Sequence, residues 1–169
     1  LGEMKTAATT RLVGYLREGG YSVQEVEAVI EARPQRWAEL PRRLAAVRAF
    51  AQLPEAAALA AANKRIGNIL KKSADPAGAF SAAALVEPAE KVLHDALGTV
   101  GAVARDHLAG GDYTRALSEL AALRAPVDAF FDGVMVNTED AALRNNRLWL
   151  LRELHVEMNR VADLSRLAS

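Results

Sequence analysis

The chain has 169 residues, of which 51% are apolar and 25% charged, with equal numbers of acids and bases and no cysteine. This composition excludes an intrinsically disordered chain, disulfides and thiolate zinc sites, and it fits a reducing cytoplasmic compartment. No apolar run is long enough for a membrane span, and no signal-peptide pattern opens the sequence. Aromatic residues make up 5%, and alanine and leucine carry much of the apolar content, so we expect a single all-α domain.

The first half of the sequence predicts four helices separated by glycine and proline. The opening helix, which could form an arm over residues 1–20, ends at a Gly-Gly pair. The second begins with the capping box SVQE at residues 22–25 and ends before Pro34. These four helices are expected over about residues 3–18, 22–33, 41–51 and 54–72.

The second half begins with an internal loop over about residues 73–88, where proline and glycine interrupt the helical pattern. Three more helices are expected over about residues 88–109, 112–124 and from Thr138 onward, with a turn over 126–132 between the last two. Gly98 and Gly101 lie inside the first of these and predict sites of close helix approach. The fold class is therefore an all-α bundle of six or seven helices over residues 1–169.

Charge is distributed unevenly along the chain. Residues 33–72 hold nine bases and two acids, so this segment carries +7 and the remainder carries −7. Such an asymmetry is typical of a face that binds a polyanion. The nine bases are Arg33, Arg36, Arg42, Arg43, Arg48, Lys64, Arg65, Lys71 and Lys72.

No pattern of catalytic residues is visible. His94, His107 and His155 are far apart and none belongs to a metal-ligand spacing. The sequence contains no GxSxG, Walker or GxGxxG pattern. We therefore expect this chain to hold no catalytic site, no metal and no cofactor.

The fourth predicted helix ends in NKRIGNILKK, residues 63–72, a run without an acid. At 100° per residue its apolar side chains share one face, and four polar ones lie opposite, with Arg65 nearer the boundary. A row of cations with an amide suits a phosphate backbone, although a basic run of this length is also typical of an ordinary solvated helix face. The four opposite residues are Lys64, Asn68, Lys71 and Lys72.

The last predicted helix contains an arginine in its apolar stripe. Arg147 lies among leucines, so we expect its guanidinium to be paired inside the bundle and not to bind a ligand. Arg144 lies at the edge of the stripe and could serve either role. Asn145, Trp149 and Arg152 lie on the opposite face, where they could stack on an RNA base or pack against another part of a longer protein.

Three segments resemble one family in the same order and spacing. AALRNNRLWLL, residues 141–151, is similar to the DALR motif of helical anticodon-binding domains in aminoacyl-tRNA synthetases. Nearly the whole chain resembles the C-terminal region of bacterial glycyl-tRNA synthetase β subunits. The segments that carry this resemblance are residues 55–72, 126–151 and 161–167. Arg144 matches the arginine of the motif, whereas Ala141 stands where the motif has aspartate. Since the chain begins with leucine, we expect a fragment of a longer protein, and the resemblance implies that it is the C-terminal part of the subunit.

The resemblance implies a part in glycine–tRNA ligase, a cytoplasmic enzyme. In this family a separate α subunit holds the catalytic site and uses ATP, glycine and magnesium, and the β subunit supplies tRNA binding. The implied partners are tRNA(Gly), the α subunit and the remainder of β, with no membrane or DNA partner. The predicted tRNA-binding residues are Lys64, Arg65, Asn68, Lys71, Lys72, Arg144, Asn145, Trp149 and Arg152.

Two alternatives stay open at this point. The DALR motif also occurs in the related anticodon-binding domain of arginyl-tRNA synthetases, although the segments at 55–72 and 161–167 favour the glycyl family. The chain could instead be a docking module that binds the α subunit or the rest of β through an exposed apolar surface.

Overall fold

The computed structural model describes residues 14–32 and 37–168, and no strand occurs among them. The prediction of an all-α bundle is confirmed, with seven α-helices that lie wholly within the described part and a helical segment at residues 14–18 before them. No helix in these ranges is long and apolar enough to span a membrane. The helices are α1 (Val23–Glu31), α2 (Leu40–Ala51), α3 (Ala56–Lys72), α4 (Pro88–Ala109), α5 (Tyr113–Glu119), α6 (Arg124–Gly133) and α7 (Ala141–Met158).

The capping box that starts α1 is confirmed. Ser22 Oγ accepts a hydrogen bond from the Glu25 N–H at 3.1 Å, and Glu25 Oε1 accepts one from the Ser22 N–H at 2.9 Å. Burial by itself raises the pKa of Glu25, but hydrogen bonds from Arg48 and Ser22 outweigh it and hold the pKa below its ordinary value of 4.5. Pro34, predicted to end this helix, lies outside the described residues, as does most of the predicted opening helix.

Two predictions about the second half are wrong. The segment 126–132 is not a turn, because α6 runs from Arg124 to Gly133. Pro126 lies in the first turn of α6, where a missing N–H leaves no helical hydrogen bond unmade. The N-cap of α7 is Asp140 and not Thr138, since Asp140 Oδ1 accepts hydrogen bonds from the N–H groups of residues 142 and 143 at 3.0 and 3.2 Å.

The helices share one hydrophobic core. α4 packs against α5, α6 and α7, while α2 packs against α5 and α3 against α7. Side chains less than 2% exposed in this core include Phe50, Ile66, Leu93, Phe130 and Leu151. The predicted close helix approach is wrong at Gly98, which faces open space. At Gly101 an added Cβ would lie 3.2 Å from Arg105 Nη1 of the same helix and 3.3 Å from the carboxyl carbon of Glu157 of α7, so side chains and not a helix backbone lie against it.

The C-terminal segment VADLSRL closes over the first three helices. The Asp163 N–H donates to the Ala28 carbonyl of α1 at 2.8 Å, and Arg43 of α2 donates to the Val161 carbonyl at 2.8 Å. Asn63 of α3, which is fully buried, exchanges two hydrogen bonds of 2.7 and 2.9 Å with the Asn159 carboxamide. The C-terminal residues thereby cover one side of α3, and the basic side of this helix faces outward.

Candidate nucleic-acid interface

The basic face of α3 consists of five exposed residues, namely Lys64, Arg65, Asn68, Lys71 and Lys72. None of its four cations forms an ion pair within 4 Å among the described residues, although salt bridges are frequent elsewhere. An unpaired cation keeps its full field and all its donors for an external anion. The basic face is therefore available to a polyanion.

The other described cations of the basic segment behave differently. Arg43 pairs with Glu39 at 3.2 Å, and Arg48 pairs with Glu25 at 3.1 Å. Arg42 has no ion pair within 4 Å among the described residues, but it belongs to α2, and its guanidinium lies 5.8 Å from the centre of the Tyr113 ring of α5. Arg33 and Arg36 lie outside the described residues. The charge excess that the sequence spreads over forty residues is thus concentrated by the fold on one helix.

Arg65 stands at the edge of the basic face. Its guanidinium carbon lies 4.2 Å from the centre of the Phe131 ring of α6, a cation–π contact that holds the side chain in place. On one side of Arg65 is a shallow hollow of about 350 Å³, which Lys64 and Asn68 also line. On its other side a larger groove opens toward α7. Arg65 and Lys72 line both.

The larger depression, called the α3–α7 groove, has a volume of about 930 Å³. It lies between the end of α3, the loop that follows it, the segment joining α6 to α7, and the first turns of α7. Its apolar surface is formed by Ile69, Phe131, Val134 and Leu148, and its polar surface includes Lys72, Asn137, Arg144 and Asn145. Such a mixture of apolar walls and few polar groups is typical of a small-molecule or nucleotide pocket.

Two α7 side chains hold the loop wall of this groove. Asn146, which is 3% exposed, accepts a hydrogen bond from the Ser81 N–H at 3.0 Å and donates one to the Ser81 carbonyl at 2.8 Å. The Trp149 indole N–H donates to the Gly78 carbonyl at 2.8 Å. The internal loop predicted over 73–88 is therefore tied to α7 at two points, and Pro88 begins α4.

Two arginines of α7 hold the opposite wall. Arg147 is 5% exposed and donates twice to Glu90 Oε1, at 2.8 and 3.1 Å, and once to the Met135 carbonyl at 2.6 Å. The prediction that Arg147 is paired inside the bundle is confirmed. Arg144 donates to the Thr138 carbonyl at 2.9 Å. The arginine of the DALR-like motif thus shapes the groove and also lines it.

The nine predicted binding residues do not form one continuous surface. Lys64, Arg65, Asn68, Lys71 and Lys72 share the basic face, while Arg144 and Asn145 line the α3–α7 groove together with Arg65 and Lys72. Trp149 and Arg152 line a separate groove of about 720 Å³ between α4 and α7. In that groove the Arg152 guanidinium lies 5.3 Å from the Trp149 ring centre.

Two residues of the larger groove could not be found by sequence reasoning. Phe131 falls in the segment predicted as a turn, and a turn gives no reason to expect its contact with Arg65. Asn146 and Ser81 lie 65 residues apart, and no local pattern pairs them. Helical spacing alone shows only that Asn146 lies beside the apolar stripe of α7.

Comparison with known proteins gives a consistent result. The family model described as DALR anticodon binding domain matches residues 59–164. The chain is 62% identical over 161 residues to the glycine–tRNA ligase β subunit of Methylobacillus flagellatus, 61% over 160 to that of Delftia acidovorans and 58% over 170 to that of Nitrosomonas europaea. These alignments cover 94%, 94% and 100% of this chain, but only 23%, 23% and 24% of the relatives.

Proposed function

This chain belongs to the family of DALR anticodon-binding domains, and from that premise we propose that it binds the anticodon arm of tRNA(Gly) as part of a glycine–tRNA ligase β subunit. The choice of tRNA(Gly) rests on the names of the relatives. The same names favour a domain of a glycyl-tRNA synthetase over one of an arginyl-tRNA synthetase. The observation that carries the proposal is the basic face of α3, whose cations have no acid partner among the described residues.

The basic face supplies the affinity in this proposal. Each lysine or arginine that neutralises a phosphate releases condensed counterions, so binding is favourable and depends on salt. Lys64, Arg65, Lys71 and Lys72 contact phosphates of the anticodon arm. Asn68 lies between them on α3, where its carboxamide faces the bases.

The residues of α7 have more varied roles. Arg144 uses one donor on the Thr138 carbonyl and keeps the other guanidinium N–H groups for the RNA. Asn145 faces the RNA from the α3–α7 groove. Trp149 positions the loop through its indole N–H, and Arg152 beside it touches the RNA only where the arm extends beyond the groove.

The chemistry of the enzyme is assigned to other parts of the complex. In this proposal the separate α subunit binds ATP, glycine and magnesium, and the remainder of β connects it to the present chain. The complex works in the cytoplasm, on tRNA. The present residues bind the tRNA and orient it, and they take part in no bond-making step.

The test is a double charge reversal, Lys71→Glu with Lys72→Glu, with binding of a tRNA(Gly) transcript measured by fluorescence anisotropy between about 50 and 200 mM salt. Affinity should fall at least about ten-fold, and the slope of log affinity against log salt should flatten by roughly 0.7 for each phosphate that is no longer neutralised. The matched control reverses Arg42 of α2 and Lys91 of α4, two exposed cations that also have no ion pair within 4 Å among the described residues. Unchanged affinity and slope in the α3 variant would overturn the assignment.

A second candidate function is docking of another subunit, and one observation favours it. The groove between α4 and α7 combines Leu97, Trp149 and Val156, and Val156 is 49% exposed. The two functions separate in one titration, with tRNA(Gly) and with the same tRNA altered in its anticodon. Loss of binding on anticodon change supports RNA recognition. Absence of RNA binding, with assembly onto the α subunit retained, supports docking.

A further inference from the structure

We propose that the α3–α7 groove receives one unstacked base of the RNA loop, and that the Asn145 carboxamide hydrogen-bonds an amino group on the edge of that base. The inference rests on the proposed function, because it assigns to the groove a nucleotide of the RNA whose backbone lies on the basic face. It adds a specificity-determining residue and a chemical requirement on the base.

The first argument is the continuity between the groove and the basic face. Arg65 and Lys72 line the groove and also the adjoining shallow hollow. A nucleotide whose phosphate contacts either side chain therefore has the groove within reach of its base. Single-stranded loops are recognised in this way, with the backbone on cations and the unstacked base in a pocket.

The second argument is the composition of the groove. Its apolar surface includes the Phe131 ring, on which Arg65 already lies at 4.2 Å, so a flat aromatic base finds both an aromatic and a guanidinium surface. Among the described residues that line it, Arg65, Lys72 and Arg144 are cations and Asp75 is the one acid. This excess of positive charge matches a nucleotide better than an apolar protein segment, which would leave the cations uncompensated.

The third argument is Asn145 itself. Its Oδ1 is buried and has no hydrogen-bond partner among the described residues, while the side chain lines the groove. A buried acceptor without a donor is unfavourable, and a donor brought by a ligand satisfies it once the carboxamide turns toward the groove. Cytosine, adenine and guanine carry exocyclic amino groups that donate hydrogen bonds, whereas uracil presents a carbonyl oxygen in place of the cytosine amine.

The groove is also formed in advance of binding. Asn146 and Trp149 hold the loop wall, and Arg147 with Arg144 holds the opposite one. A pocket whose walls are already hydrogen-bonded loses little conformational freedom when a base enters. Discrimination between bases then depends on the groups inside the groove, among which Asn145 has an unused acceptor.

The test is a cycle of protein and RNA changes with the intact protein and anticodon stem-loops of tRNA(Gly) sequence. Each loop nucleotide whose base has an exocyclic amine is replaced in turn by one that lacks it, namely cytidine by uridine, adenosine by purine riboside and guanosine by inosine. Each stem-loop is titrated against the unchanged protein and Asn145→Ala. At one position the replacement should weaken binding to the unchanged protein about ten-fold and binding to Asn145→Ala less than about two-fold. Equal weakening of both proteins at every position would overturn the inference.

A second variant keeps the test independent of the folding of Asn145→Ala. Ala142→Trp fills the groove from an exposed position at the start of α7, and Ala129→Trp on α6 is the matched control outside it. An abasic nucleotide is then placed at the loop position identified with Asn145→Ala. It should lower the affinity of the control variant for the stem-loop about ten-fold and leave the affinity of Ala142→Trp almost unchanged. Equal costs in both variants would contradict the assignment of the base to the groove.

Failure of this inference differs from failure of the proposed function. RNA binding stands if the unchanged stem-loop binds and the reversal of Lys71 and Lys72 weakens that binding. If, in addition, the RNA changes have the same effect in Asn145→Ala and in Ala142→Trp as in their reference proteins, the groove assignment alone is wrong. If the unchanged protein does not bind the stem-loop at all, both are wrong.

Discussion

The basic face of α3 and the signature helix α7 both carry charged and amide side chains, yet the two regions use them differently. On α3 the cations are exposed and have no acid partner among the described residues. On α7, Asn146 and Arg147 are buried and their polar atoms bind other parts of the same chain. The family signature therefore lies mainly in residues that shape the groove, whereas the exposed cations without an acid partner lie on another helix.

The reason for the difference is the cost of removing a charge from water. A buried guanidinium is stable only when its carboxylate partner and hydrogen bonds are in place, so Arg147 is committed to Glu90 and Met135. An exposed lysine has no such requirement and gains from contact with phosphate. Substitutions on the two helices should therefore differ in their effect on stability, with the largest loss at Arg147 and the smallest at the lysines of α3.

Arg147→Ala should lower the free energy of unfolding by about 3–5 kcal/mol, because it leaves the fully buried Glu90 carboxylate without its cation. Urea unfolding followed by circular dichroism measures the loss. The double variant Arg147→Met with Glu90→Leu should recover most of it, since an apolar pair of similar volume replaces both charges. A loss below about 1 kcal/mol in Arg147→Ala would remove the contrast between the two helices.

Asn63→Ala should cost about 1–3 kcal/mol in the free energy of unfolding, because the Asn159 carboxamide loses both of its bonds to Asn63. Asn68→Ala, on the exposed side of the same helix, should stay within about 0.5 kcal/mol. The same urea measurement compares the two. Equal losses would mean that α3 is not divided into a structural side and a binding side.

His155 should make stability depend on pH. Burial lowers its pKa below the ordinary value of 6.5, and Asp163 opposes the shift only in part. In the window between the lowered pKa and 6.5 the unfolded chain binds more protons than the folded one, so stability is complete above about pH 6.5 and falls as the pH drops through this window.

The change in the free energy of unfolding with pH should be smaller than the losses expected for Arg147→Ala and Asn63→Ala. His155→Gln should remove this pH dependence. Urea midpoints measured between about pH 5 and 7.5 check both expectations. The variant Lys71→Ala with Lys72→Ala leaves His155 in place and should keep the slope of the unchanged protein. A slope that survives in His155→Gln would assign the effect to another group.

Lys71→Ala with Lys72→Ala should change the free energy of unfolding by less than about 0.5 kcal/mol, because both side chains are exposed and unpaired in the described structure. The same variant should bind tRNA(Gly) less tightly, as anisotropy measures. This pair of results is the reverse of that expected for Arg147. A stability loss above about 1 kcal/mol would show that the basic face also has a structural role.

Much of the fold was predictable because it depends on short-range patterns. The capping box at residues 22–25 involves groups three residues apart, and the helical period of 3.6 places the basic and apolar sides of α3. The same period places Arg147 in an apolar stripe, from which its pairing follows. The errors at residues 126–132 and at Thr138 are also local, since proline and threonine are compatible with either side of a helix start.

By itself, then, the sequence determined the helices other than α6, the basic face, the buried state of Arg147 and membership of the family. The tertiary structure alone decided which partners these groups meet. Glu90 lies 57 residues from Arg147, and Ser81 lies 65 residues from Asn146. Helical periodicity says which way a side chain points but not what packs against it, because that depends on how the helices bury their apolar faces together.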